Sequence, residues 1–140
     1  MLRDRLGALA LALTVALAGC AGSGPPPIHV GSACTACGMS INDLGFACEL
    51  GVARGWKQYD SIECLLRDAD TGTGRMFLAD YDTHALHDVD SMWVVQGSFP
   101  SPMGGGYAAF LARPAADEIA RRTGGRVARL GALAPAGSAR

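Results

Sequence analysis

The sequence is notable first for what it lacks. It has no excess of either charge: 12 Lys and Arg stand against 13 Asp and Glu in 140 residues. There is therefore no basic footprint of the kind that nucleic-acid binding requires. No apolar run is long enough to cross a bilayer, which takes about 20 residues. The best candidate, residues 6–18, is short and broken by Gly7 and Thr14. No Ser–His–Asp set, phosphate-cradling loop or carboxylate pair stands out, so the expectation is a protein that is not an enzyme. The residue after the CxxC pair is Gly38, which excludes CxxCH haem attachment.

The N-terminus is informative. Arg3 and Arg5 precede the apolar run, as in a secretory signal. The run closes on LAGC (17–20), which resembles a bacterial lipobox. That resemblance implies cleavage before Cys20, lipidation of Cys20, and a domain lipid-anchored to a membrane of the cell envelope, on its periplasmic or extracytoplasmic side. The expected organisation is a lipoprotein signal peptide over 1–19, a lipid-anchored tether over 20–32, one domain over 33–130 and a flexible tail over 131–140. The tether, AGSGPPPIHVGS (21–32), is rich in proline, glycine and serine and would extend roughly 35 Å.

Within the domain, a strand–turn–strand–helix–strand pattern occurs twice. GFACELG (45–51) alternates as a half-buried strand, and WKQYD (56–60) returns as a second. Asp60 and Glu63 have the spacing of a capping box, and Ile62, Leu65, Leu66 and Ala69 share a helical face. TGTG stops that helix before the strand RMFLADY (75–81). The second unit runs SMWVVQG (91–97), the loop SFPSPMGGG, and YAAFLAR (107–113). A helix then opens at Pro114, with Asp117 and Glu118 in its first turn and Arg121 and Arg122 in its last. Gly124 and Gly125 end it before RVARL (126–130). The predicted fold is α+β: two tandem β-β-α-β units, about 33–82 and 88–130, with mainly antiparallel sheets.

Four cysteines follow Cys20: Cys34, Cys37, Cys48 and Cys64. In an oxidising compartment their default is two disulfides, in one of three connectivities. The CTACGM stretch (34–39) offers another use. Cys34 and Cys37 can bridge each other, as a structural or thiol–disulfide exchange pair, or grip one metal. Met39 adds a thioether, and soft thiolate with thioether suits Cu(I). Its alternative is a packing role. Met103 lies between Pro102 and three glycines, where there is little local core to fill. Cys48 alternates with Phe46 and Leu50 and reads as a buried thiol. Cys64 sits near the apolar stripe of the first helix, and a bond to Cys48 or a four-cysteine zinc site remain alternatives. His84 and His87 read as part of a solvated linker, and His29 as part of the tether.

CxxCGM, then YDSIECLL, then DVDSMWVVQGSFPSPMGGGYAAF, then GGRVARL, together resemble the NosL family across about residues 34–130. NosL proteins are bacterial copper-binding lipoproteins associated with assembly of nitrous oxide reductase. The resemblance implies a pair of β-β-α-β units and a Cu(I) site at Cys37, Met39 and Met103, with Cys34 as an extra thiol. It also implies a metallochaperone whose partner is nitrous oxide reductase or its assembly machinery. Two features depart from the family pattern: Cys34 itself, and the absence of histidine from SINDLGFACELG after the CGM motif.

Overall fold

The computed structural model describes residues 24–133. The signal segment, Cys20 and residues 134–140 lie outside the described residues. Strands β1 (Cys48–Val52) and β2 (Gly55–Tyr59) form a hairpin, with Cys48 opposite Tyr59 and Val52 opposite Gly55. Helix α1 (Ile62–Leu66) then leads to β3 (Arg75–Ala79), which lies antiparallel on the other side of β1. A further strand, β4 (Leu86–Asp88), extends the sheet to the order β2-β1-β3-β4. The second unit comprises β5 (Trp93–Gln96), β6 (Tyr107–Phe110), α2 (Arg113–Thr123) and β7 (Arg126–Ala128). Its sheet has the order β6-β5-β7. In both units the first strand is central, the second and third flank it, and the helix joins the outer two. The predicted duplication is thus a duplication of topology, and every strand pair described is antiparallel.

Alternation places the second sheet between two cores. Val94, Tyr107 and Ala109 face a core shared with Leu50, Ile62, Leu65 and Leu78 of the first unit. Val95, Ala108 and Phe110 face the opposite way, onto Ala116 and Ala120 of α2. Period-two alternation alone does this, because successive side chains leave a strand on opposite faces.

Several boundaries differ from expectation. Helix α1 ends at Leu66, and residues Ala69–Gly72 form a 3-10 turn. The cause is Asp68, whose carboxylate accepts hydrogen bonds from Lys57 Nζ (2.9 Å), Tyr59 Oη (2.7 Å) and the Asp70 N–H (2.9 Å). Such local bonds compete with helix continuation. Helix α2 starts at Arg113, so Asp117 and Glu118 fall beyond its first turn, where they pair with Arg113 and Arg121. The presumed linker DTHALHD supplies β4, whose His87 pairs with Leu78. The strand after α2 ends at Ala128, and a short helix α3 (Leu130–Leu133) follows. Leu130 and Leu133 are buried in the shared core, so the domain continues past the expected start of the tail at 131. The tether is docked at its far end as well: Ile28 packs on the core, Gly31 N–H donates to Ile41 O, and Ile41 N–H donates to Ser32 O.

The units are joined by a buried carboxylate. Asp80 Oδ2 accepts from the Thr83 N–H and hydroxyl, while Oδ1 accepts from the Leu111 N–H at 2.9 Å. Next to it, Tyr81 N–H donates to Ala109 O at 2.8 Å. Removing this carboxylate takes the acceptor from donors on both sides of the junction. Asp80→Ala is therefore expected to cost about 3 kcal/mol of unfolding free energy in urea titrations; a change below about 0.5 kcal/mol would show that the junction does not depend on it.

Candidate metal centre

The CxxCGM loop is a closed turn. Cys34 N–H donates to Met39 O at 2.8 Å, and Gly38 N–H donates to Cys34 O at 2.9 Å. Gly38 has φ +75°, a conformation that glycine adopts without steric cost. Thr35 N–H donates to Gln58 O at 2.8 Å, which pins the turn to β2. One residue beyond Gln58, β2 ends at Tyr59 and the chain turns into α1. The N-cap is Ser61, whose hydroxyl accepts from the Cys64 N–H. This corrects the expected capping box by one residue. Asp60 and Glu63 are not reciprocal caps, and both carboxylates turn to other work.

Asp60 turns toward the cysteines. The ligand atoms of Cys34, Cys37, Asp60 and Cys64 all lie within 4.8 Å of one another. The Cys37 thiol donates to Asp60 Oδ2 at 3.5 Å. Asp60 is only 3% exposed, and its other oxygen, Oδ1, is buried without a hydrogen-bond partner. An unpartnered buried carboxylate oxygen is costly unless something binds it. A metal–sulfur bond of about 2.3 Å places sulfurs about 3.8 Å apart around an ion, so the cluster needs to contract by about 1 Å at most. The donor set fits a metal ion.

All four cysteines described are free thiols. Cys48 is buried and donates to Phe46 O at 3.4 Å, outside the cluster. The Cys48–Cys64 bond is thus not made, and a four-cysteine zinc site is not assembled: Asp60 takes the place that reading gave to Cys48.

The methionines lie toward solvent. Met39 is 47% exposed and lines an open hollow with Gly38, Phe46, Asp60, Pro100 and Pro102. Met103 follows Pro102 directly and is half-buried against the core that contains Cys34 and Cys64. The hollow is thus lined by the CGM loop, by Asp60 and by Pro100, Ser101 and Pro102 of the loop that leads to Met103, while Met103 itself packs against the core. His84 is exposed on the turn before β4, and neither it nor His87 belongs to the cluster.

Among solved structures, the crystal structure of the copper chaperone NosL from Shewanella denitrificans matches with a TM-score of 0.68. The match covers 79% of this chain and 95% of that one, at 19% sequence identity. The chain has a NosL-like fold. No family model and no curated protein sequence matches it.

Within this NosL-like fold the Cys37, Cys48 and Cys64 thiols are shifted upward. At Cys37 the Met39 backbone N–H lowers the pKa. Burial, the Cys34 thiol and the Asp60 charge outweigh it, with a net rise above 9.0. Burial, then hydrogen bonding to Asp60, pushes Cys64 up much further. Burial first, then the charges of Glu63 and Asp60, raises Cys48 well above 9.0. Sequence reasoning missed Asp60 and reached Cys64 only as an alternative. The available signal was the serine in DSIEC: a cap at Ser61 leaves Asp60 free and puts Cys64 at the third helical position.

The raised thiols have a consequence for stability. Above about pH 9 the unfolded chain releases thiol protons that the folded chain retains, so stability falls as pH rises. The urea midpoint is expected to drop between pH 8 and 10, and Cys48→Ala should make the drop shallower. An identical slope in that variant would show that Cys48 titrates freely.

Proposed function

We propose that the protein is a membrane-tethered Cu(I)-binding metallochaperone that delivers copper for maturation of nitrous oxide reductase. The observation that supports it most is the gathering of three thiols and a buried carboxylate beside a hollow walled by Met39 and the Met103 loop. The NosL-like fold and the NosL-like motifs point the same way. Copper is cargo in this reading, and no bond of a substrate is made or broken. Cys37, half-buried in the cluster and next to Gly38 and Met39 of the hollow, would ligate as a thiolate. Cys34 and Cys64 supply further sulfur from inside, and Met39 and Met103 supply thioethers from the rim. Soft sulfur donors of this kind favour Cu(I) over hard cations. Transfer proceeds by ligand exchange: an acceptor's own donors enter the hollow and replace these ligands one at a time. Lipidation at Cys20 would keep the domain at an extracytoplasmic membrane face, within reach of nitrous oxide reductase or its assembly machinery.

A thiol–disulfide exchange enzyme uses the same CxxC pair differently. Such enzymes lower the thiol pKa with a helix N-terminus. Here no helix starts at Cys34 or Cys37, and the Cys37 thiol is shifted upward.

The test is Cu(I) competition against a chelator, using the reduced soluble domain (21–140). Wild type should bind tightly, and Cys37→Ser at least about a hundredfold more weakly. Equal, weak binding by both would end the copper reading, and disulfide exchange without copper uptake would replace it. The pH dependence provides a second prediction. Each thiol that ligates must lose its proton, so affinity should rise about tenfold per pH unit for each thiolate engaged. Between pH 6 and 8, a logarithmic slope of two to three is expected from a cluster of neutral thiols, whereas a flat profile would exclude thiolate ligation.

A further inference from the structure

Glu63 is the charged side chain that the misplaced capping box leaves unexplained. Its Oε1 accepts from the Gly105 N–H at 2.8 Å and from the Ser101 hydroxyl at 3.2 Å. Ser101 Oγ in turn accepts from the Gly106 N–H at 2.9 Å, and Gly104 N–H donates to Ser101 O at 3.0 Å. Met103 lies inside this closed set of bonds. Glu63 also lies next to Cys64 in sequence and three residues after Asp60, both members of the thiol cluster.

We propose that Glu63 is a positioning residue: a latch that couples the Met103 thioether of the second unit to the thiol cluster of the first. The proposal rests on the copper-carrier reading. Its physical content is entropy. The segment between β5 and β6, residues 97–106, contains four glycines, and a loop of that composition does not hold a thioether in one place by itself. A carboxylate oxygen accepting two hydrogen bonds fixes the loop against α1. The approach is close: a Cβ built at Gly105 would lie 2.7 Å from Glu63 Cγ. The latch therefore requires glycine at 105. Residue 105 lacks the positive φ seen at Gly104 and Gly106, so alanine there adds only a wedge. Every hydrogen bond of the latch is made by Oε1, and Oε2 is buried without a partner. The carbonyl oxygen of a glutamine can accept the same two bonds, which makes the conservative variant informative.

The experiment uses the whole protein in detergent, reduced and loaded with one equivalent of Cu(I). X-ray absorption counts sulfur neighbours, and chelator competition gives affinity and release rate. Met103→Leu should lose one sulfur and release copper at least about tenfold faster. Glu63→Ala and Gly105→Ala should reproduce both effects with Met103 still present, and Glu63→Gln should stay close to wild type. Circular dichroism and thermal unfolding report whether each variant is folded, and Gly105→Ala retains residue Glu63 while wedging its carboxylate away from the loop. Unchanged sulfur count and release rate in both Glu63→Ala and Gly105→Ala would overturn the latch while the carrier reading stood. No effect of Met103→Leu would overturn it by removing the thioether from the site. A wild type that takes up no copper would end both.

Discussion

The candidate metal centre depends on a single structural event, the ending of β2 at Tyr59 and the start of α1 at Ile62. In between, Ser61 alone caps the helix, through its bond to the Cys64 N–H. This cap sets the orientation of everything around it. Asp60, just outside the helix, turns its carboxylate to the Cys37 thiol. Glu63 projects to the second unit's loop, and Cys64 projects back to Cys34 and Cys37. A cap shifted by one residue would rotate these side chains by about 100° around the helix axis and scatter the cluster. The CxxC turn is held to the same place from the other side by the Thr35–Gln58 bond. Chemistry at the centre is thus specified by a helix start, a feature worth only about 1 kcal/mol in stability.

In the proposed copper carrier, the cluster's burial would also let one site hold an ion and still give it up. Neutral thiols pack like small apolar groups, and the empty centre carries no buried thiolate charge to repel itself. A bound cation would take the place of thiol protons, among them the Cys37 S–H that donates to Asp60 Oδ2. Engaging all three thiolates and the carboxylate around a monovalent ion would leave a large uncompensated negative charge in a low dielectric, which is strongly unfavourable. Partial engagement follows: a few ligands at a time, exchanged between interior sulfur and rim thioether. That condition favours transfer over permanent storage.

How much of this the sequence disclosed depends on the length of the signal. The duplication was legible because five of its six strands span four or five residues, enough for alternation to show, and because Gly124 and the arginines before it mark the end of α2 and the start of the short sixth. The closeness of Cys34 and Cys37 was legible from their spacing, and both belong to the cluster. The strand β4 was not, since three residues carry no readable period and the histidines in DTHALHD suggested solvent. The length of α1 was misjudged because Ala69 keeps the apolar stripe going after Asp68 has been drawn to Lys57 and Tyr59, a contact between residues distant in sequence. The roles of Asp60 and Glu63 were hidden by an ambiguity: Asp60 and Ser61 are both good caps, and Glu63 fits a capping box only with the first. Tertiary demand for a carboxylate beside the thiols is consistent with the choice of Ser61.

The docked end of the tether bears on how the domain would meet a membrane-bound partner. Prolines 25–27 and Ile28 lie along a hollow formed by Leu44, Ala47, Ala79 and Leu86, beside the β3–β4 turn. An unattached tether over 21–32 would reach roughly 35 Å. With Pro25 onward against the domain, only residues 21–24 separate it from a lipid on Cys20, a reach of about 14 Å at full extension. A domain held so closely would sample a narrow layer above the bilayer, which raises its effective concentration toward acceptors in the same layer and lowers it toward those in bulk. In the proposed carrier, such a tether would contribute to the selectivity of delivery, because it would restrict which proteins can reach the hollow beside Met39.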